Sequence, residues 1–320
     1  MRKYFSMLFL VSCFSTNAQS YIDYNFLKDK GQECIIDKKF QEAQIYYDSI
    51  YNNYDFIYAG DCFVGLKLAV QNNDSIRANK FLLKGISMGV PIKLVKNDEF
   101  LNKNLKFDLW HGISQEKIDS LLLIYNNRIN KELVRQISIM YVADQKATFK
   151  VNKSFLYYFK WRIVSKRNAK IIKEIIQTYG YPGEKLLGVQ LSTNKNGDTV
   201  CNPYYPNRSS EYFMLIHYFS DKVSDWEEYQ QLLYNQLENG NLRPSQYADF
   251  CDFKARWKKS KRQGTDYFYN EWHYDPDTTR IPEINKRRAE IGLLDFDFVK
   301  KKLANQMDTY RNKSFDTKIF

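Results

Sequence analysis

The sequence has none of the short motifs that mark the common classes of enzyme. It has no phosphate-binding loop, no glycine-rich dinucleotide turn, no Gly-x-Ser-x-Gly nucleophile elbow and no His-Glu-x-x-His zinc helix. Its three histidines, His111, His217 and His273, lack the spacing of zinc ligands. We therefore expect no metal site and no cofactor.

Long apolar runs are also missing, and no stretch is long enough to cross a bilayer. A short apolar run at residues 4–14 follows Arg2 and Lys3 and precedes the small, polar residues 15–20. This order is typical of a secretory signal peptide. We expect a signal peptide at residues 1–19 and an exported mature protein, periplasmic or secreted, without a transmembrane span.

The same N-terminal segment has a second interpretation. Residues 10–13 fit the lipobox of a bacterial lipoprotein, in which Cys13 would be acylated and would anchor the protein to a membrane. The polar residues that follow end in Ala18 and Gln19, which favours ordinary cleavage there. Both interpretations predict export.

Acidic residues are outnumbered, because 48 Lys and Arg residues accompany 37 Asp and Glu residues for a formal net charge of +11. In an exported protein this surplus is either a solvated basic surface or a contact for lipid headgroups, lipopolysaccharide or acidic glycans, and we expect no nucleic acid. The strongest basic cluster is residues 256–262. It is either a contact for such an anionic envelope component or the solvated end of a helix, where positive charge favours the helix dipole.

Cysteine is scarce, and one of the five cysteines lies in the predicted signal. The other four are Cys34, Cys62, Cys201 and Cys251. An exported protein can form disulfides, and four thiols allow three complete pairings that the sequence does not distinguish. The alternative is buried free thiols, which are common in helical cores.

The chain after the signal begins with the pattern of helical hairpins. In residues 24–57, the small residues Gly31 and Ala43 fall where two helices of a tetratricopeptide-type repeat approach each other. Leu27 and Tyr47 surround that contact. This segment therefore resembles one degenerate tetratricopeptide-like hairpin.

A second helical hairpin is predicted at residues 56–89, with a closing segment at residues 92–111. Together these units define an N-terminal domain at residues 20–112. Two hairpins are fewer than an independent repeat array needs. We therefore expect this domain to pack against the rest of the chain or to bind a protein partner.

Residues 113–320 form the second predicted domain, which is also helical. A joining helix begins after Ser114 and runs to about Phe149, with a break near residues 126–127. Further helices are expected at residues 168–179, 209–219, 223–239, 244–258, 283–291 and 295–310. A small β-hairpin with its turn near Gly197 is the only sheet we expect, so the predicted fold class is mainly α.

Residues 130–294 contain a series of residues in the order found in one bacterial family. The series is Asp144-Gln145, Tyr179-Gly180-Tyr181-Pro182, Gly188, Ile216-His217, Gly240, Pro244, Gly264, Tyr269, Arg287-Arg288 and Gly292-Leu293. In this order the segment resembles the bacterial domain of unknown function family 6624. The resemblance implies a domain often found on secreted proteins and next to helical repeats, and it implies no particular reaction.

The same resemblance selects the candidate site residues. The candidate catalytic residues are His217 and Asp144, because an imidazole can act as a general base near neutral pH. The candidate ligand-binding residues are Gln145, Tyr269, Arg287 and Arg288. A guanidinium suits a carboxylate or phosphate, to which it donates two parallel hydrogen bonds. In the alternative interpretation these residues have structural roles. The histidine is then hydrogen-bonded in the core, and an acidic residue and an arginine form an ion pair that fixes the helices.

These features predict an exported binding or assembly module of the bacterial cell envelope, since helical repeats present an interaction surface and no catalytic motif is recognisable. The alternative is a hydrolase-like or anion-processing enzyme. Its site would join His217, Asp144, Tyr269 and Arg287, so side chains from four distant segments would have to meet in one cleft.

Overall fold

A computed structural model describes the chain at residues 20–189, 191–193, 199–201, 209–220, 224–258, 269 and 278–312. The predicted signal peptide, including Cys13, lies outside these residues. The turn at Gly197, residues 259–268 and His273 also lie outside, as do the side chains of residues 256–258.

The described chain is mainly α, which confirms the predicted fold class. The first seven helices are α1 (Tyr21–Ile36), α2 (Phe40–Asn53), α3 (Ala59–Gln71), α4 (Ser75–Met88), α5 (Ile92–Asn97), α6 (Glu99–Asn104) and α7 (Gln115–Arg128). The next eight are α8 (Lys131–Thr148), α9 (Phe155–Tyr179), α10 (Glu184–Leu187), α11 (Ser210–Phe219), α12 (Trp226–Glu238), α13 (Pro244–Lys258), α14 (Ile281–Glu290) and α15 (Phe296–Asn312). Two short antiparallel strands, β1 (Leu191–Thr193) and β2 (Thr199–Cys201), form the sheet of the described residues. None of the helices in this part of the chain is both long and apolar enough to span a membrane.

The joining helix differs from its prediction in where it breaks. It is two helices, α7 and α8, and Asn130 separates them by capping α8, its side chain accepting a hydrogen bond from the Leu133 amide at 3.0 Å. The Asn130 amide donates to the Leu186 carbonyl at 3.0 Å. The chain is therefore turned at this point by a cap and a long-range hydrogen bond, three residues beyond the predicted break.

Helix α9 also differs, because it begins at Phe155 and not near Asn168. A short 3-10 turn at Val151–Lys153 connects it to α8. Buried residues along α9 are those that contact the neighbouring helices, whereas its first turn has large apolar residues in solvent. The hydrophobic pattern of its N-terminal half therefore does not mark one buried face.

Helices α1 to α7 surround one hydrophobic core. The pairs α1–α2 and α3–α4 pack closely, and α7 packs on α4. Gly31 of α1 lies against the Tyr47 ring of α2, where a Cβ atom would be only 2.7 Å from the ring. The fully buried side chains of this core include Tyr47, Ile50, Ile57, Cys62, Leu68, Ala69, Ala78 and Ile86.

Helices α8, α9 and α11 to α13 surround a second core. Its fully buried side chains include Ile172, Tyr181, Met214, Leu215, Phe219, Leu233, Leu237 and Phe250. Charged side chains are buried here as well, among them Asp144, Glu211, Asp249, Asp252 and Arg288. Buried charges cost free energy unless they are paired or hydrogen-bonded, so this core is specified by polar contacts as well as by packing.

Arg243, which precedes α13, joins the two cores. Its guanidinium lies 3.0 Å from a Glu184 carboxylate oxygen, 3.9 Å from an Asp61 carboxylate oxygen and 3.6 Å from the centre of the Tyr58 ring. Burial acts to lower the pKa of Arg243, but the neighbouring Glu184 and Asp61 carboxylates outweigh it and raise that pKa. The Tyr24 hydroxyl donates to Asp61 at 2.7 Å. The contact between the cores is therefore a buried, charged network.

The first helix also contacts the last described segment. The Asn25 side chain donates to the Gly292 carbonyl at 2.6 Å, and Lys302 of α15 donates to Gln32 of α1 at 2.9 Å.

The cysteines of both cores form no disulfide with one another: Cys34, Cys62 and Cys251 are buried free thiols. The alternative of buried thiols therefore holds for these three cysteines.

Candidate functional site

Asp144 and His217 lie side by side where α8, α9 and α11 pack together. Asp144 is in the last turns of α8, and His217 is in the last turn of α11. The two helices contact each other and α9, so residues 73 positions apart in the sequence meet across one helix–helix contact.

The two side chains form a close pair. His217 Nδ1 is 2.6 Å from Asp144 Oδ2, and the same carboxylate oxygen accepts from the Gln145 amide at 3.2 Å. Asp144 is fully buried, whereas 20% of the His217 side chain is exposed. An ionised carboxylate only accepts hydrogen bonds, so Nδ1 carries a hydrogen and the other ring nitrogen, Nε2, is left for another partner.

Thr148 and Trp161 complete the immediate surroundings of His217. The Thr148 hydroxyl lies 3.4 Å from Nδ1 and donates to the Asp144 carbonyl at 2.9 Å. The Trp161 ring meets the imidazole edge-on, with 6.3 Å between the ring centres. Packing by an aromatic ring and a hydrogen bond to a buried carboxylate together fix the orientation of the imidazole, as in a general base.

Several buried polar atoms near this pair have no hydrogen-bond partner among the described residues. They are Asp144 Oδ1, Trp161 Nε1, Ser165 Oγ and Asn168 Oδ1. Unpaired polar atoms of this kind are few in native proteins, and each calls for an explanation. Their presence on α8 and α9 makes the surroundings of the Asp144–His217 pair a polar region inside an apolar core.

Two of the predicted ligand-binding residues, Tyr269 and Arg288, contact each other, whereas Gln145 contacts Asp144. Buried Arg288 donates from Nε to the Leu294 carbonyl at 2.7 Å and from Nη1 to the Tyr269 carbonyl at 3.0 Å. The Tyr269 amide donates to Asp252 at 2.6 Å. Burial raises the pKa of the Tyr269 phenol. The Arg288 guanidinium thus binds main-chain carbonyls and holds this segment on the core.

Among the predicted site residues, the structure brings Asp144 into contact with His217 and Tyr269 into contact with Arg288. Arg287 forms an ion pair with Glu283 of the same helix. In the part of the chain that the structure describes, the Asp144 and His217 side chains form no hydrogen bond or ion pair with Tyr269, Arg287 or Arg288. Arg288 instead donates to the Leu294 and Tyr269 carbonyls, and the Tyr269 amide donates to the Asp252 carboxylate, which holds α14 in its own region.

A second feature, which the sequence interpretation missed, is an exposed surface at the junction of α8 and α9. We call it the α8–α9 face and define it by the apolar side chains Phe149, Phe155, Leu156, Phe159 and Ile163. The exposed fractions of Phe149, Phe155 and Leu156 are 80%, 72% and 72%. The Phe155 and Phe159 rings contact each other edge-on, with 4.4 Å between their centres.

Positive charge surrounds the α8–α9 face. Lys150, Lys153, Lys160, Lys166 and Lys170 are all exposed, and none forms an ion pair with a described residue. Between Asp144 and Glu174 the chain carries nine Lys and Arg residues and no Asp or Glu. That run of one sign, interleaved with aromatic residues, is the signal in the sequence that identifies this surface.

No protein-family model, curated protein or solved structure matches the chain.

Proposed function

We propose that this chain is an exported binding or assembly module of the bacterial cell envelope, and that the α8–α9 face is its contact surface. The observation that carries the proposal is the exposed group of large apolar side chains at Phe149, Phe155 and Leu156. Contiguous exposed apolar patches on soluble proteins mark sites of interaction with proteins, membranes or ligands.

Burial of the α8–α9 face against a partner is lower in free energy than its exposure to water. Transfer of a Phe or Leu side chain from water to an apolar environment is favourable by about 1.5–3 kcal/mol. None of these side chains is covered by the helices around them, because α8 and α9 direct them away from the second core. A partner that covers several of them gains enough free energy to offset part of the entropy lost on association.

Other parts of the chain direct export and bind a protein partner. The N-terminal segment directs export, with the periplasm or the exterior as destination, or membrane anchoring at Cys13 as the alternative. Helices α1 to α4 are a tetratricopeptide-like pair of hairpins with a protein partner of their own. Residues 130–294, which include the α8–α9 face, form the domain that resembles family 6624.

The experiment is sedimentation of the purified mature protein with isolated bacterial envelopes. We expect the triple variant Phe149→Ser, Phe155→Ser, Leu156→Ser to bind envelopes about tenfold more weakly or worse, because three apolar contacts are lost. The matched control is Ile45→Ser, Ile76→Ser, Leu123→Ser, which removes three exposed apolar side chains elsewhere. Thermal melts of both variants should match the wild type, since exposed side chains contribute little to stability.

Equal binding by the two triple variants would contradict the proposed surface. Failure of the wild type to sediment with envelopes would contradict the proposed function itself. A loss shared by both variants would indicate general hydrophobic adsorption and would count against the proposal as well.

The Asp144–His217 pair favours a second candidate, a hydrolase-like enzyme. In that function, Asp144 would hold the Nδ1 hydrogen and His217 Nε2 would take a proton from an attacking water or hydroxyl. The test is hydrolysis of p-nitrophenyl acetate by the wild type and by His217→Asn, with the exposed His111→Asn as control. Turnover that is lost only in His217→Asn would support the enzyme, and turnover unchanged by it would contradict this candidate.

A further inference from the structure

We propose that the α8–α9 face binds an anionic lipid surface. This inference rests on the proposed function, because it names the partner of the same face. The observation that carries it is the combination of exposed aromatic and aliphatic side chains with lysines that form no ion pair with a described residue. Interfacial membrane-binding helices have this composition, with bulky apolar residues on one side and Lys or Arg beside them.

The geometry of α9 places the two kinds of residue on one face. Phe155, Phe159, Ile163, Lys166 and Lys170 recur at intervals of three and four residues, and all are exposed. An α-helix repeats every 3.6 residues, so these side chains form a single stripe along α9. The first two turns of the stripe are apolar and its later turns are basic.

The lysines nearest the apolar residues are held against aromatic rings. Lys153 Nζ lies 5.5 Å from the centre of the Phe149 ring, and Lys150 and Lys160 lie 5.8 and 5.7 Å from the Tyr157 ring. Their ammonium groups therefore lie within cation–π distance of the rings while the lysine side chains remain exposed to water. At a membrane, this arrangement lets the rings enter the apolar boundary while the ammonium groups remain among the headgroups.

The charge of this region distinguishes a lipid surface from a protein partner. Lysine is depleted in protein–protein interfaces relative to the rest of the protein surface. A leaflet that carries anionic headgroups is uniformly negative, and it attracts each nearby Lys or Arg by an amount worth roughly fivefold in binding. The chain from Lys146 to Lys173 contains no Asp or Glu, and the carboxylates of Asp225 and Glu228 pair with Lys173 at its far end.

Docking through this face would also place the Asp144–His217 pair close to the lipid surface. Thr148, which contacts both residues of the pair, directly precedes Phe149, and Trp161, which packs on His217, lies between Phe159 and Ile163. The pair therefore lies next to Thr148, one residue before Phe149, whereas Trp161 is on the opposite side of α9 from Phe159 and Ile163.

The experiment is flotation of the purified mature protein with two kinds of vesicle, phosphatidylcholine alone and equal parts phosphatidylcholine and phosphatidylglycerol. We expect binding to the anionic vesicles only, and we expect it to fall as salt is added because screening weakens charge attraction. The charge-reversal variant Lys150→Glu, Lys153→Glu, Lys160→Glu should lose binding to the anionic vesicles by about 100-fold.

The matched control is Lys93→Glu, Lys106→Glu, Lys117→Glu. It changes the net charge by the same amount at exposed positions in the part of the chain that surrounds the first core. It should retain most of the binding. The Phe149→Ser, Phe155→Ser, Leu156→Ser variant should lose binding too, because charge alone does not insert the rings. Equal losses in the two charge variants would overturn the inference, since the attraction would then be a property of net charge.

The two proposals fail in different ways. If envelopes bind through the α8–α9 face but protein-free anionic vesicles do not, the partner is a protein and the lipid inference is overturned while the proposed function stands. If light scattering shows a dimer that the Ser variant abolishes, the face binds a second copy of this chain and the lipid inference is again overturned. If neither envelopes nor vesicles bind, both proposals are wrong.

Discussion

The two oxygens of the Asp144 carboxylate have different surroundings. Oδ2 accepts from His217 Nδ1 at 2.6 Å and from Gln145 at 3.2 Å, while Oδ1 has no partner among the described residues. The carboxylate itself is fully buried. His217 therefore supplies the closest hydrogen bond to a group that would be costly to leave unpaired in the core.

This contact predicts losses of stability of different size for two substitutions at one position. We expect His217→Ala to lower the free energy of unfolding by about 1–3 kcal/mol, because Asp144 loses its closest hydrogen-bond partner. We expect His217→Asn to cost much less, because its side-chain amide can donate to Asp144 from about the position of Nδ1. Urea unfolding of the wild type and both variants measures the difference.

Equal stability of the two variants would show that the hydrogen bond to Asp144 does not stabilise the fold. The comparison also separates structure from chemistry, since asparagine keeps the hydrogen bond but has no second ring nitrogen. A stable His217→Asn variant is therefore the appropriate protein for tests of catalysis, and His217→Ala is not.

The pairing of Asp144 with His217 follows from residues that the resemblance to family 6624 had already selected. The roles of Tyr269 and Arg288 do not follow from it, because a sequence does not distinguish an arginine that binds a ligand from one that binds main-chain carbonyls. Both uses need a buried guanidinium with acceptors. Only the positions of the Leu294 and Tyr269 carbonyls decide between them.

The bounds of most helices could be predicted from the sequence, but those of α9 could not. Most bounds followed from apolar periodicity and capping residues, as for α13 at Pro244–Lys258. The N-terminal half of α9 did not, because its apolar residues occupy the solvent side as well as the core side. Periodicity identifies a helix only when one face is buried and the other polar. The pattern fails at Phe155 to Ile163 because these exposed apolar residues belong to the α8–α9 face, which is the proposed contact surface.

The sequence predicted that the joining helix breaks, but it did not predict the residue at which α7 ends and α8 begins. Asn126 and Asn127 are weak helix formers and were reasonable candidates. The actual break is set by Asn130, whose amide bonds to the Leu186 carbonyl. A contact between segments 56 residues apart has no local signal in the sequence.

In the molecule as a whole, the two cores are connected by charge rather than by apolar packing alone. Arg243 lies between Glu184 of the second core region and Asp61 of α3, and the Glu184 carboxylate also accepts from the Ala59 amide at 2.6 Å. The Tyr58 hydroxyl donates to the Gly240 carbonyl at 2.9 Å. These bonds cross from one core to the other, so we expect the two cores to unfold together.

Removal of the central cation should therefore destabilise the whole protein. We expect Arg243→Ala to lower the free energy of unfolding by about 3–5 kcal/mol, because the buried Asp61 and the half-buried Glu184 would lose their positive partner. Urea unfolding followed by circular dichroism measures the loss. The matched control is Arg135→Ala, which breaks an exposed ion pair with Glu132 and should change stability by less than about 1 kcal/mol.

A loss below about 1 kcal/mol in Arg243→Ala would contradict the account of the contact between the cores. Two separate unfolding transitions in the wild type would contradict it too, because cores joined by this network should lose their structure in one step.

The most direct measurement is photo-crosslinking from single positions in the intact cell envelope. A photoreactive amino acid at position 155, on the α8–α9 face, is compared with the same amino acid at position 45, an exposed apolar position on α2. Binding through the α8–α9 face predicts crosslinks to envelope components from position 155 and few or none from position 45. Crosslinks from position 45 alone, or equal yields from the two positions, would contradict it.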